Sequence, residues 1–309
     1  AEASRGSTSL LVKLLDAGER LPVHCHPTRA FAGDHLESLF GKTEGWIIMD
    51  AAPGATVWLG LSDDVDLATL RRWVDQQDVR SMLTAMNEIE VHAGQVVFVP
   101  AGLPHSIGPG VLLTELQEPT SFSVLAEHEP FGLDEQQATL GLGWDVALAC
   151  FDLGGYHGDR LAALLPEPAE RSAQPGGTVV DLFPAAADEF FAARRVRCAA
   201  TMTLDAAGFA VLVVAGGSGR IVWDDGDAAV ACGDTWVVPS AAGPRAAIRG
   251  GLFRRRPVGG AVRQRRGFHR HAFASRRRII GLVADDRQLG QRRIVRMLPG
   301  RICRRLSCS

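Results

Sequence analysis

Two short segments carry histidines at spacings that suit a metal ion. They read Gly18-x5-His24-Cys25-His26 and Gly94-x5-Pro100-x-Gly102-x2-His105. Because successive side chains of a strand point to opposite faces, His24 and His26 share one face while Cys25 points to the other. One strand thus presents two imidazoles, and we expect Cys25 to be a small buried apolar residue rather than a ligand.

A third imidazole and a carboxylate complete the predicted site. Pro100 and Gly102 are turn residues that end one strand and begin another, which would bring His105 to the first two histidines. Glu44 offers a carboxylate from the next strand. Three nitrogen ligands and one carboxylate suit zinc, iron or manganese and leave positions for water or a substrate oxygen. The sequence predicts one catalytic metal site, formed by His24, His26, Glu44 and His105.

Short apolar runs predict the elements that must hold these residues. Between residues 8 and 126 they alternate with Gly, Pro and Asp turns, as an antiparallel jelly-roll barrel requires. The candidate strands there are LLVKLLDAG, ERLPVHCH, GWIIMDA, ATVWLGL, EIEVHAG, QVVFVPAG and GVLLTELQ. The segment DLATLRRWVDQQDVRSMLTAM instead follows helical spacing, which predicts one or two inserted helices.

The pattern along the whole chain predicts four regions. We expect an N-terminal barrel with the metal site and inserted helices at 1–130, a helical bridge and linker at 131–172, a degenerate second barrel without metal at 173–252, and an Arg-rich tail at 253–309. The linker is the polar stretch PEPAERSAQPGG. The second barrel repeats the motif spacing from Gly233 to Pro239 but has Gly243 where a histidine would be needed.

The Arg-rich tail is unusual in composition. It contains more than half of the arginines of the chain, with only Asp285 and Asp286 as acids. Such a string is typical of a disordered tail or of out-of-frame translation of GC-rich DNA. Its aromatic residues are few, so nucleic-acid binding is the least favoured function.

The amino-acid composition narrows the classes of protein to which the chain can belong. The chain has 46% hydrophobic and 22% charged residues and a net charge of -2, as is ordinary for a globular protein. No apolar run reaches the about 18 residues of a membrane helix, and no secretory signal begins the sequence. The six cysteines form no C-x-x-C pair. We therefore expect a cytoplasmic protein with reduced thiols and no membrane partner, of undetermined oligomeric state.

The segments around the motifs resemble the type I mannose-6-phosphate isomerases of the cupin superfamily. They are LLVKLLDAGERLPVHCHP, FGKTEGWIIMDA and GQVVFVPAGLPHSIGPGVLLTELQEPT, with a weaker likeness in CGDTWVVPSAAG. The long insertion between His26 and Glu44 is typical of this family rather than of cupins in general. The resemblance implies a mainly β fold of two cupin (jelly-roll) barrels joined by a small helical segment. It also places the ligands of one zinc ion, with iron or manganese as alternatives, on the four predicted residues.

The resemblance further implies the interconversion of mannose 6-phosphate and fructose 6-phosphate, with a phosphorylated hexose as substrate. Lys13 and Lys42 are the only lysines, and both lie in the resembling segments. Strand alternation lets both face one cavity, where they would hold an anionic substrate or a developing enediolate. Glu115, which lies two residues before Gln117, would orient a substrate hydroxyl or transfer a proton. The predicted catalytic residues are Lys42, Lys13 and Glu115.

Two departures from the family keep other functions open. His24 stands where the family commonly has Gln, and the segment SFSVLAEHE lacks the Arg that usually follows the Glu-x-Gln pair. One alternative is another metal-cupin enzyme, either a dioxygenase or an isomerase of an unphosphorylated sugar. The other is a non-catalytic sugar-binding bicupin.

Overall fold

The computed structural model describes residues 7–205, 209–223, 226–239, 245–250 and 279–285. The fold is mainly β, with 39% of residues in strands and 19% in helices. The chain divides into two compact units, of which the first holds the described residues up to Ala169 together with Leu182–Ala192. In the described part of the chain, every helix is too short or too polar to cross a membrane.

The first unit is built on two antiparallel sheets. Its strands are β1 (Leu11–Ala17), β2 (His24–Cys25), β3 (Glu44–Ala51), β4 (Thr56–Leu61), β5 (Met86–Glu90), β6 (Val96–Val99), β7 (His105–Ile107), β8 (Val111–Gln117) and β9 (Val124–Leu125). One sheet has the order β1-β8-β3-β6 and the other the order β5-β4-β7-β2-β9. Strand β2 is shorter than the predicted strand over residues 19–26, which includes Pro22, a residue without a backbone N–H.

A core of alternating apolar side chains joins the two sheets. Trp46 of β3 and Leu113 of β8 pack in one cluster with Leu59 of β4 and Ile107 of β7, all nearly inaccessible to solvent. Each such side chain contributes about 1.5–3 kcal/mol on burial. The strand alternation therefore fixes which side chains of β2, β3 and β7 point into the unit.

Helices cover the outer face of the second sheet. Within the described residues the helices are α1 (Arg29–His35), α2 (Leu67–Asp75), α3 (Val79–Thr84), α4 (Glu135–Ala138), α5 (Trp144–Ala147) and α6 (Gly158–Ala162), with 3-10 turns at Glu129–Phe131, Leu148–Cys150 and Ala185–Ala187. Leu70 and Met82 of α2 and α3 share a second apolar cluster with Cys25. The predictions of inserted helices and of a buried Cys25 are confirmed.

Strands resume after the short helices and build two further sheets. They are β10 (Ala169–Gln174), β11 (Gly177–Asp181), β12 (Ala192–Cys198), β13 (Thr201–Asp205), β14 (Ala210–Gly216), β15 (Ser218–Trp223), β16 (Gly226–Ala231), β17 (Thr235–Val238), β18 (Arg245–Gly250) and β19 (Ile279–Asp285). Their orders are β10-β11-β12-β19-β14-β17 and β13-β18-β15-β16. The second unit has its own core, which includes Val196, Leu212 and Ile221.

Some of the sequence-based predictions concern this part of the chain. The predicted linker PEPAERSAQPGG contains β10, which pairs along β11. Its side chains are mostly exposed, so an edge strand there can be as polar as a linker, and composition could not distinguish the two. Gly243, and the Arg-rich tail apart from β19, lie outside the described residues.

Candidate metal site

Three imidazoles converge in the first unit. The ring centroids of His24 and His105 lie 4.1 Å apart, and that of His26 lies 4.9 and 4.8 Å from them. One nitrogen from each ring lies within 4.8 Å of the others, and all three residues are buried. Strand pairing produces this arrangement, because His24 of β2 is the direct antiparallel partner of His105 of β7.

The turn before His105 is tied to the first histidine strand. Gly102 has φ +90, a backbone conformation that glycine adopts without strain. Its N–H donates to the carbonyl of His26 over 2.7 Å. The two histidine segments are therefore held together by backbone bonds as well as by the sheet.

Glu44 reaches the histidines from the facing sheet. Its strand β3 is not a neighbour of β2; it belongs to the other sheet. The carboxylate Oε1 lies 3.0 Å from His26 Nε2, and Oε2 lies 3.9 Å from His105 Nε2. Glu44 is 2% exposed, so this carboxylate is almost fully removed from water and needs a cation nearby.

On each of the three imidazoles, the same nitrogen contacts a backbone carbonyl. Nδ1 of His24 lies 2.7 Å from the carbonyl of Pro22, Nδ1 of His105 lies 2.8 Å from that of Leu103, and Nδ1 of His26 lies 2.9 Å from that of Phe122. A carbonyl only accepts, so each Nδ1 carries the proton and each Nε2 offers a lone pair. This arrangement suits a metal ligand, whose second nitrogen commonly donates to a carbonyl.

The environment keeps the three imidazoles neutral. Burial lowers the pKa of His26 and of His105 to about 3, and it holds the pKa of His24 well below its usual value. Burial alone would raise the pKa of Glu44, but the adjacent ammonium of Lys42 helps to hold it well below its usual range. Neutral imidazoles and an ionised carboxylate are the protonation states that bind a metal ion.

One buried acceptor atom of the site lacks a hydrogen bond. Among the described residues, no hydrogen bond of good geometry reaches His105 Nε2. Such an orphaned buried acceptor costs about 1–3 kcal/mol, and a cation bound to it would remove that cost. The residues present therefore fit a metal ion.

The three predicted catalytic residues lie beside this cluster. Lys42 Nζ is 2.8 Å from Glu44 Oε1 and 3.0 Å from His26 Nε2. Lys13 Nζ is 2.5 Å from Gln117 Oε1 and 3.6 Å from Glu115 Oε2. The carboxylate of Glu44 interacts electrostatically with the Glu115 carboxyl group. The two lysines thus flank a pair of carboxyl groups, and the structure brings together all the residues that the sequence analysis selected.

The carboxyl pair shares one negative charge at neutral pH. Burial and the adjoining Glu44 carboxylate raise the pKa of Glu115 to about 8, although Lys42 and Lys13 oppose the shift. Glu115 is therefore mostly protonated at neutral pH, while Glu44 stays ionised. Two close carboxyl groups in one buried site commonly divide their roles in this way.

Trp46 is a site residue that the sequence analysis missed. Its indole Nε1 donates to Glu44 Oε2 over 3.0 Å, and its ring lies 5.5 Å from that of His105. The signal was its position two residues after Glu44, which places both side chains on the same face of β3. Trp46 thus orients the carboxylate from the apolar core.

The mainly β, cupin-like fold thus carries a buried cluster of three histidines that could hold a metal ion. No protein-family model matches the chain. The resemblance to the type I mannose-6-phosphate isomerases is confirmed by curated relatives. Over 109 residues the chain is 38% identical to a mannose-6-phosphate isomerase of Streptococcus mutans, which covers 35% of this chain and 33% of that protein. The mannose-6-phosphate isomerase ManA of Bacillus subtilis is 32% identical over 111 residues, again 35% of this chain and 33% of the relative.

These matches span about a third of the length of the curated relatives. Solved structures extend the likeness to most of the fold. The crystal structure of the Bacillus subtilis mannose 6-phosphate isomerase has a TM-score of 0.65 at 19% identity and covers 89% of this chain and 74% of that one. A mannose 6-phosphate isomerase bound with zinc and yttrium has a TM-score of 0.60 at 12% identity, with 92% and 82% covered. At such identities the structures show a shared fold.

Proposed function

We propose that this protein is a metal-dependent aldose–ketose isomerase that interconverts mannose 6-phosphate and fructose 6-phosphate. The observation that carries the proposal is the buried cluster of three neutral imidazoles beside Glu44 and Lys42. This cluster lies in a chain similar to mannose-6-phosphate isomerases.

The proposed ligands are His24, His26, His105 and Glu44, and the proposed metal is zinc. One neighbour in fold is described as bound with zinc, and nitrogen ligands with one carboxylate are a common zinc set. When bound, zinc supplies Lewis-acid polarisation of the sugar's carbonyl and hydroxyl oxygens. Iron or manganese would suit the same donors.

The lysines would supply positive charge at two places. Lys42 is buried with its ammonium against Glu44 and His26, where it can stabilise negative charge that develops on an enediolate. Lys13 has a side chain that is 41% exposed, so its ammonium can also meet an incoming anion. The phosphorylated hexose is the anionic substrate that we propose for this site.

Glu115 would serve as a hydrogen-bond or proton donor to the substrate. Its carboxyl is protonated at neutral pH and lies between Lys13 and Glu44, so it can donate to a substrate oxygen or orient a hydroxyl. The isomerisation itself moves one proton from C2 to C1 of the sugar and a second from the C2 hydroxyl to the C1 oxygen, so that the carbonyl shifts from C1 to C2. No oxidant or reductant is consumed.

We also propose the domain organisation that the sequence predicted. It comprises a metal-binding jelly-roll barrel at 1–130, a helical bridge and linker at 131–172 that ends within β10, a second barrel without metal at 173–252, and the tail at 253–309, from which β19 joins a sheet of the second unit. The two-sheet core of the first unit supports the first barrel, and the separate sheets of the second unit support the second.

A coupled assay tests the function. Purified protein is assayed for fructose 6-phosphate formation from mannose 6-phosphate, and bound metal is measured on the same sample. We expect turnover that is lost on chelation and restored by about one equivalent of zinc. His105→Gln should abolish both zinc binding and turnover, whereas the surface variant Asp75→Asn should retain them. Bound iron with oxygen consumption and no sugar-phosphate turnover would contradict the proposal and favour a dioxygenase.

A further inference from the structure

Two buried glutamates outside the proposed ligand set make the same pattern of contacts. They are Glu118, which follows β8, and Glu127, which follows β9, and each is 1% exposed. Each accepts an ion pair from an arginine and a hydrogen bond from a backbone N–H. In each case that N–H belongs to the residue just before a proposed metal ligand.

Glu127 contacts the segment that begins the first histidine strand. Its Oε2 accepts the N–H of Val23 over 3.0 Å, while its own N–H donates to the carbonyl of Val23 over 3.1 Å. Arg20 binds both oxygens of the same carboxylate, at 2.6 and 2.5 Å. Val23 precedes His24, so this contact fixes the backbone from which His24 projects.

Glu118 makes the equivalent contacts with the segment that carries the proposed carboxylate ligand, Glu44. Its Oε2 accepts the N–H of Thr43 over 3.0 Å, and its own N–H donates to the carbonyl of Thr43 over 3.2 Å. Arg29 Nε donates to the other carboxylate oxygen over 2.6 Å. Thr43 lies between Lys42 and Glu44, so one contact restrains the backbone of both.

A buried carboxylate is costly unless it is paired and hydrogen-bonded, so each glutamate stays where its partners hold it. The arginines are only partly buried, with side chains that are 24% and 31% exposed for Arg20 and Arg29. Neither pair contacts a proposed ligand side chain in the described hydrogen bonds and ion pairs; both act on the backbone. These contacts therefore restrain segments rather than tune the imidazoles.

We infer that Glu127 with Arg20, and Glu118 with Arg29, are two carboxylate clamps that position the metal-ligand segments. The inference rests on the proposed function, because the restrained segments carry its proposed ligands. The two clamps hold opposite sides of the site, since His24 lies in one sheet and Glu44 in the other. Loss of either clamp should loosen the ligand set while leaving all four ligand side chains intact.

The test uses single variants of the whole chain. Glu127→Gln and Glu118→Gln remove the charge but keep the size of each side chain, and we expect the zinc Kd to rise about tenfold or more. Arg20→Lys and Arg29→Lys keep the positive charge and should have smaller effects, which provides folded variants if a glutamine variant is unstable. Asp75→Asn, which breaks the exposed ion pair with Arg71 on α2, is the matched control.

Hydrogen exchange of the backbone amides gives a second readout that needs no metal. In metal-free protein, Glu127→Gln should lower the protection of the Val23 amide and Glu118→Gln that of the Thr43 amide, beyond any change in global stability. Unchanged zinc Kd and unchanged local protection in both variants would overturn the inference. If the unmodified protein binds no zinc, the proposed metal is contradicted. In that case the hydrogen-exchange data alone test the clamps. Selective loss of protection at the Val23 and Thr43 amides supports them, and retained protection at both amides rejects them.

Discussion

At the scale of single residues, the two lysines have the same charge but different surroundings. Lys42 is 6% exposed and pairs with Glu44, whereas the side chain of Lys13 is 41% exposed and pairs more loosely with Glu115. Breaking a buried ion pair costs more free energy than breaking a partly exposed one, so a partly exposed ammonium can exchange its carboxylate partner for another anion. Substrate recognition is therefore the role that suits Lys13.

Replacing Lys13 should weaken the binding of the phosphorylated sugar more than its conversion. A charge-assisted hydrogen bond contributes about 1.5–3 kcal/mol, so we expect Lys13→Gln to raise KM by about tenfold or more while kcat changes little. Lys13→Arg keeps the charge and should recover much of the loss. Steady-state kinetics on mannose 6-phosphate provide the measurement. An unchanged KM in Lys13→Gln would remove Lys13 from the site.

At the scale of elements, a bulge in β4 connects the second sheet to the helical segment. The pairing with β5 shifts register between Leu59 and Leu61, and Gly60 between them has φ +62. Gly60 donates its N–H to the carbonyl of Pro104, the residue before His105. A Cβ at position 60 would lie 2.6 Å from the ring of Tyr156. The bulge thus needs glycine for both its backbone conformation and its packing.

Gly60→Ala should destabilise the protein more than Gly54→Ala does. Both glycines have positive φ, but a Cβ at Gly54 would meet no atom within 4 Å. Gly54→Ala should therefore report only the backbone cost, about 1 kcal/mol, and Gly60→Ala should add the cost of the clash with Tyr156. Urea unfolding of both variants measures the difference. Equal free energies of unfolding for the two variants would show that a Cβ at position 60 does not clash with the Tyr156 ring.

Tyr156 should make stability depend on alkaline pH. Burial and the adjoining Asp152 carboxylate, which accepts the Tyr156 hydroxyl over 2.8 Å, raise the pKa of this phenol to about 12. An unfolded tyrosine titrates near pH 10, so this contribution to stability is complete below about pH 10 and is lost as the pH rises towards 12. Tyr156→Phe should remove this part of the decline in free energy of unfolding.

The measurement is direct because Tyr156 is the only tyrosine of the chain. The absorbance of tyrosinate therefore reports the ionisation of this one residue. In folded protein we expect its midpoint near pH 12, and in denatured protein near pH 10. A midpoint near pH 10 in both states would contradict the buried hydrogen bond to Asp152.

At the scale of the whole molecule, the sequence predicted the parts of the site that depend on local patterns. Alternation along β2 predicted that His24 and His26 share a face, and the turn at Gly102 predicted the approach of His105. Trp46 and the arginine–glutamate clamps were not predicted, because their partners are chosen by tertiary packing. Glu127 and Arg20, for example, are 107 residues apart in sequence.

The fold follows the same division. Apolar alternation predicted most strands, and the helical spacing of apolar residues predicted α2 and α3. Each of these elements buries one face, which gives the sequence a periodic pattern. The exposed strand β10 was interpreted as a linker because it buries little apolar surface and has no periodic pattern to detect. The sheet that supplies Glu44 could not be predicted either, because strand order depends on long-range pairing.

X-ray absorption spectroscopy of zinc-loaded protein would show whether one zinc ion binds to the three histidines and Glu44. We expect only nitrogen and oxygen ligands, with the multiple scattering of about three imidazoles. The imidazole signal should fall in His105→Gln and persist in Asp75→Asn. Sulfur scattering, or a spectrum without imidazole that does not change in His105→Gln, would contradict the site.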